Sequence, residues 1–80
     1  MKTNRLGKFR ITESHMRLNP ELAMLVMSYC IPLRVEYRYD TQCFHYVARS
    51  ELFDELEEGF QPPEYTWIFG KGKAPRAELV

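Results

Sequence analysis

Between Leu33 and Ala48 the chain reads LRVEYRYDTQCFHYVA, two runs of alternating apolar and polar residues on either side of a polar Asp40-Thr41 break. Period-two alternation on both sides of a short polar break specifies a β-hairpin. Burial of one face fixes the register, because a slip of one residue turns every side chain to the wrong side. With Asp40 and Thr41 at the tip, Tyr39 stands opposite Gln42, Tyr37 opposite Phe44, Val35 opposite Tyr46 and Leu33 opposite Ala48, gathering the apolar side chains on one face. The other face pairs Arg38 with Cys43, Glu36 with His45 and Arg34 with Val47. A four-residue loop from Tyr39 to Gln42 keeps this register, whereas a three-residue loop sets Tyr37 against His45 and scatters the apolar face.

Shorter signals flank the hairpin. Lys8 to Glu13 alternates Phe9 and Ile11 against Lys8, Arg10 and Thr12, which predicts a strand. Asn19-Pro20-Glu21 is a helix start, with Asn at the N-cap, Pro where its missing N–H costs nothing, and an acid near the positive end of the dipole. The predicted helix, Glu21 to Cys30, is stopped by Pro32 and is apolar nearly all round, so one stripe can face the sheet while the rest needs another cover. Ser50 is placed to cap a second helix, Glu51 to Glu58, with Leu52, Phe53 and Leu56 as its apolar stripe and Gly59 as its C′ residue. Gln61-Pro62-Pro63-Glu64 is a stiff connector, and Tyr65 to Phe69 alternates aromatic residues as a last strand. The segment 71–80 has no period and reads as a flexible tail on a domain of residues 1–70.

The expected class is therefore α+β, a small single domain with an antiparallel sheet in β-α-β-β-α-β order and two short helices on one face. That order is the split β-α-β or ferredoxin-like one, with a plain antiparallel meander as the alternative. The face carrying Leu33, Val35, Tyr37, Phe44 and Tyr46 is expected to meet the helices, since burying Arg34, Glu36 and Arg38 without partners is costly.

Eighty residues support one core, burying roughly 60 to 65% of the surface the unfolded chain exposes. With 45% hydrophobic and 28% charged residues the composition is that of a folded globular protein. No apolar segment follows Met1 to Arg5, and the longest apolar run, Leu22 to Met27, is far short of a membrane span, so a cytoplasmic protein with no membrane association is expected. Cys30 and Cys43 are then expected as reduced thiols. Net charge is zero but segregated: Lys2, Arg5, Lys8, Arg10 and Arg17 face only Glu13 in the first stretch, while the charged residues from Glu51 to Glu64 are all acidic. The plain interpretation is solvated faces that attract each other within the fold or across a dimer.

Phe44 and Tyr46 are similar to the aromatic pair with which RNA-recognition domains stack bases, but the surrounding Cys43 to Ala48 lacks that motif's basic and glycine positions, and the pair is needed for the core. Cys43, His45, His15 and Cys30 lack the close ligand pairs of a structural zinc site, so neither metal nor cofactor is expected. A Cys43 nucleophile with His45 as base fails on distance, because i, i+2 side chains on a strand stand about 7 Å apart. No phosphate loop, nucleophile elbow or metalloprotease motif is present, and no enzyme is expected.

The leading expectation is a small non-enzymatic interaction protein, an inhibitor or adaptor of the kind phages and mobile elements carry, acting by binding another protein as a homodimer. Leu22, Leu25, Val26, Tyr29 and Trp67 are the candidate interface residues, since Met and aromatic side chains anchor interfaces. The alternative is a nucleotide or other anion bound on the open sheet face by Arg34, Arg38 and His45 with Arg10 from the neighbouring strand. Nucleic acid is disfavoured by the zero net charge.

Overall fold

The hairpin forms as its alternation dictates. In the computed structural model, which describes residues 5–70 and 72–80, β2 (Ile31–Arg38) and β3 (Cys43–Arg49) run antiparallel. Val35 faces Tyr46, Glu36 faces His45, Tyr37 faces Phe44 and Arg38 faces Cys43, as the sequence predicts. Gln42 closes the four-residue loop with a positive φ of 52°. The prediction fails at the open end. The register shifts between Pro32 and Arg34, so that Pro32 rather than Leu33 faces Ala48, and Ile31 faces Arg49. The extra residue of a β-bulge reverses the facing of everything beyond it, which moves Ile31 to the open side of the sheet.

β1 (Leu6–Thr12) lies on the other side of β3, pairing Phe9 with Tyr46 and Ile11 with Phe44. The order β1-β3-β2 with β3 antiparallel to both neighbours makes β1 and β2 point the same way around an inserted strand, the first half of the split β-α-β arrangement. The crossover holds two helices, α1 (Glu13–Leu18) and α2 (Pro20–Met27). α1 was not expected: Thr12 caps it, its Oγ1 accepting the His15 N–H at 3.0 Å, so the predicted strand end at Glu13 becomes a helix start. α2 begins with Pro20 in its first turn, as predicted, but ends at Met27, three residues before Cys30. The backbone N–H of Ser28 and its Oγ both turn back onto Leu25 O, closing the last turn.

The second half departs from the expected order. No helix spans 51–58. Ser50 Oγ accepts the Leu52 N–H at 3.1 Å as a cap would, but the N–H of Asp54 bonds the Tyr65 hydroxyl at 2.9 Å instead of continuing a helix. A helix here would be short and would align Glu51 with Asp54 and Glu55, and Asp54 with Glu57 and Glu58, which like-charge repulsion opposes. β4 (Tyr65–Ile68) forms as predicted but joins a second, two-stranded sheet with β5 (Arg76–Leu79), inside the segment for which no element was expected. β1 and this sheet meet at a parallel bridge between Lys8 and Glu64, where the Lys8 N–H donates to Pro63 O at 2.9 Å. The protein is thus a small α+β domain with a three-stranded antiparallel sheet, a two-stranded sheet and two short helices.

The core lies on the apolar face of β1 and β3. Phe9 stacks on Tyr46 with centroids 5.1 Å apart and meets Trp67 edge-on at 5.4 Å, while Phe53, delivered by a loop, stacks on Tyr65 at 4.5 Å. Ala23 and Val26 of α2 close the cluster together with Cys30 and Ala48. This cover stops short of β2: Leu33 and Val35, expected in the core, are 51% and 52% exposed. An eight-residue helix in the crossover shields two strands, and the helix expected over 51–58, which would have widened that cover, is absent.

Candidate functional site

Two recesses and one bare edge hold the candidate residues. The larger recess, about 590 Å³, opens between α2 and the second sheet. Ile11, Leu22, Ala23 and Val26 form one wall and Trp67 and Phe69 the other, with Arg10, His15 and Glu64 among the polar lining. Three of the five predicted interface residues, Leu22, Val26 and Trp67, therefore line one cleft, but not as free side chains. Val26 is only 2% exposed and belongs to the core, and Trp67 packs edge-on against Phe9, so both reach the cleft as part of its packed lining. Leu25 is half-buried and Tyr29 exposed, and neither lines the cleft. Phe69 and Ile11 were legible as aromatic and alternating positions, whereas Val80, which also lines the cleft, carried no sequence signal.

The indole N–H of Trp67 is buried with no hydrogen-bond partner among the described residues. Cys43 lies in the same cleft but directs its thiol to Thr41 O at 3.3 Å, and Arg10 pairs with Glu64 at 3.4 Å. That ion pair joins the basic first stretch to the acidic one. Its two half-exposed side chains contribute at most about 1 kcal/mol.

The smaller recess, about 380 Å³, lies on the open face of the three-stranded sheet, where Arg10, Arg34 and His45 come together with Lys8, Glu36 and Glu64. Arg38, the fourth predicted anion ligand, does not line it. Glu36 stands between Arg34 and Arg38, 3.6 Å from each, so both guanidinium groups already face a carboxylate. His45 was expected to pair with Glu36 across the hairpin. The two are register partners, yet His45 Nε2 is buried without a hydrogen bond among the described residues.

Elsewhere the perturbed groups are structural. Burial pushes the Cys30 thiol up from its usual 9.0, with its sulfur donating to Val26 O at 3.4 Å. Burial, and then the nearby Cys30, raise Tyr46. Tyr37 is raised first by desolvation and then by Glu13, whose carboxylate accepts its O–H at 3.3 Å. Among the described residues no three His, Cys, Asp or Glu side chains converge as a metal site, and no helix is long and apolar enough to cross a membrane.

The third surface is the free edge of β2. Ile31, Leu33, Val35 and Tyr39 are exposed along it, interleaved with Arg34, Glu36 and Arg38. Compared with protein-family models, curated proteins and solved structures, the chain finds no match.

Proposed function

We propose that this chain is a small non-enzymatic interaction protein, an inhibitor or adaptor that acts as a homodimer and binds another protein in the cleft between α2 and β4. The observation that carries this reading is the cleft itself: an apolar lining of Ile11, Leu22, Ala23, Val26 and Trp67, open to solvent and joined by the polar Arg10, His15 and Glu64. An apolar centre with a polar rim is the anatomy of a protein interface, and a tryptophan in such a pocket is a frequent anchor of binding energy. The thiol of Cys43 is turned onto its own loop rather than toward a base, which supports binding over chemistry.

The test uses Trp67, the only tryptophan in the chain. Proteins captured by the wild type are compared with those captured by Phe69→Glu, which charges the exposed end of the cleft. A protein captured only by the wild type is then purified and titrated against it. Saturable change in Trp67 emission, absent in the variant, is the expected result; a partner that binds both chains equally overturns the cleft as the site.

Anion or nucleotide binding at the smaller recess is a second reading, favoured by the unpartnered Nε2 of His45 beside Arg10, Arg34 and Lys8. Glu36 and Glu64 oppose it, since an anion must compete with carboxylates already on the arginines. On this reading Arg10→Ala with Arg34→Ala abolishes any phosphate binding measured by calorimetry.

A further inference from the structure

The free edge of β2 presents unpaired backbone groups beneath exposed apolar side chains, which is a template for pairing with another strand. We infer that its occupant is a second copy of this chain, paired antiparallel through β2 with Val35 at the two-fold axis. This inference rests on the dimeric part of the function proposed above and gives it a surface different from the helix expected from the sequence.

Charge pattern and the extent of β2 together select the register. Centred on Val35, the two strands place Arg34 opposite Glu36 of the second copy and Glu36 opposite its Arg34, with Val35 against Val35 and Leu33 against Tyr37. Centring on Glu36 instead sets Glu36 against itself and Arg34 against Arg38, all like charges. Centring on Tyr37 also sets Glu36 against Arg38, but it leaves Val35 against Tyr39 and Arg34 against Asp40, and Tyr39 and Asp40 both lie beyond the end of β2. Registers shifted by one residue oppose apolar and charged faces. The Val35 register keeps five paired positions within β2, Leu33 to Tyr37, against three, Glu36 to Arg38, for the Tyr37 register, with Leu33 the bulge residue at its end.

The assembly closes at two copies. The outer edge of β1 is occupied at Lys8 by Pro63 and Glu64, so the sheet offers β2 as its free edge and becomes six-stranded on pairing. Opposed residues of an antiparallel pair share a face, so Val35, left half-exposed by α2, gains its counterpart from the second copy.

The pairing predicts a complementation experiment. Arg34→Glu alone sets the new carboxylate against Glu36 of the second copy, and Glu36→Arg alone sets the new guanidinium against its Arg34, each twice per dimer. Either variant should weaken self-association about tenfold, measured by sedimentation. Mixed one to one, the two variants oppose only unlike charges, and the heterodimer should form where neither variant pairs with itself. Val35→Lys should give a folded monomer; if that variant misfolds, the exposed charge variants still decide the matter. A wild-type chain that stays monomeric at every concentration overturns the inference together with the dimer. A dimer broken by Leu25→Glu but indifferent to Val35→Lys, or a mixture that fails to recover pairing, overturns the β2 interface and its register while leaving dimerisation itself standing.

Discussion

The ring of Tyr65 lies directly over Gly7: a Cβ built on that glycine would stand 2.7 Å from the ring carbons and 2.9 Å from Phe53. β1 can approach the second sheet this closely because it carries no side chain at that point. Both rings are buried and stacked on each other, so neither can move aside without disturbing the core. Gly7→Ala is expected to lower stability by about 1–3 kcal/mol through overpacking, seen as a fall in the thermal midpoint. An unchanged midpoint would show that Tyr65 has room to retreat.

Phe53 sits in the core from a loop, whereas a helix over 51–58 would have shared its burial with Leu52 and Leu56. Phe53→Ala should cost about 3–5 kcal/mol and Leu52→Ala within about 0.5 kcal/mol, Leu52 being exposed. Urea unfolding of the two variants checks this, and equal losses would indicate a helical stripe instead.

Ser50 is buried, and its hydroxyl donates to Tyr29 O at 2.6 Å, tying the exit of α2 to the end of β3. Ser50→Ala leaves that carbonyl without its donor and should cost about 1–3 kcal/mol in chemical unfolding.

Tyr37 should ionise above 10.0, because desolvation and the Glu13 carboxylate favour its neutral form. A raised value in the folded chain means that this contribution to stability is complete below the unfolded value and is lost as pH rises through the folded one. Tyr37→Phe should therefore remove a late step from the phenolate absorbance titration. Persistence of every late step in that variant would assign the shift to another tyrosine.

Cys30 and Cys43 are both buried, and burial holds the Cys30 thiol in its protonated form beyond 9.0. A thiol reagent at neutral pH should modify neither until denaturant is added. Rapid modification of one cysteine in the native chain would place that residue on a mobile segment.

Much of this fold could be read from residues whose signals are local. Alternation from Val35 to Tyr46 set a register that holds residue by residue, and Asn19-Pro20 marked the start of α2. The failures are places where distant contacts outweighed local pattern. Asp54 gives its N–H to Tyr65 rather than to a helix, and Leu33 is displaced by a bulge that nothing in LRVEYRYD announces. β5 is short, lacks alternation and is specified by its pairing with β4, Ala77 against Trp67. For the candidate site, residue type singled out Leu22 and Trp67, but their meeting in one cleft depends on β4 leaving the first sheet. No periodicity encodes that.

The enclosure of Phe9 also sets an order of events during synthesis. Its partners are Tyr46, Phe53 and Trp67, so β1 emerges from the ribosome long before the residues that cover it. Until Trp67 has been made, the apolar face of the first strand lacks part of its cover, and the full ring cluster can assemble only as a late, long-range step. A chain stalled before β4 would thus present a half-built sheet with part of its apolar face open to water.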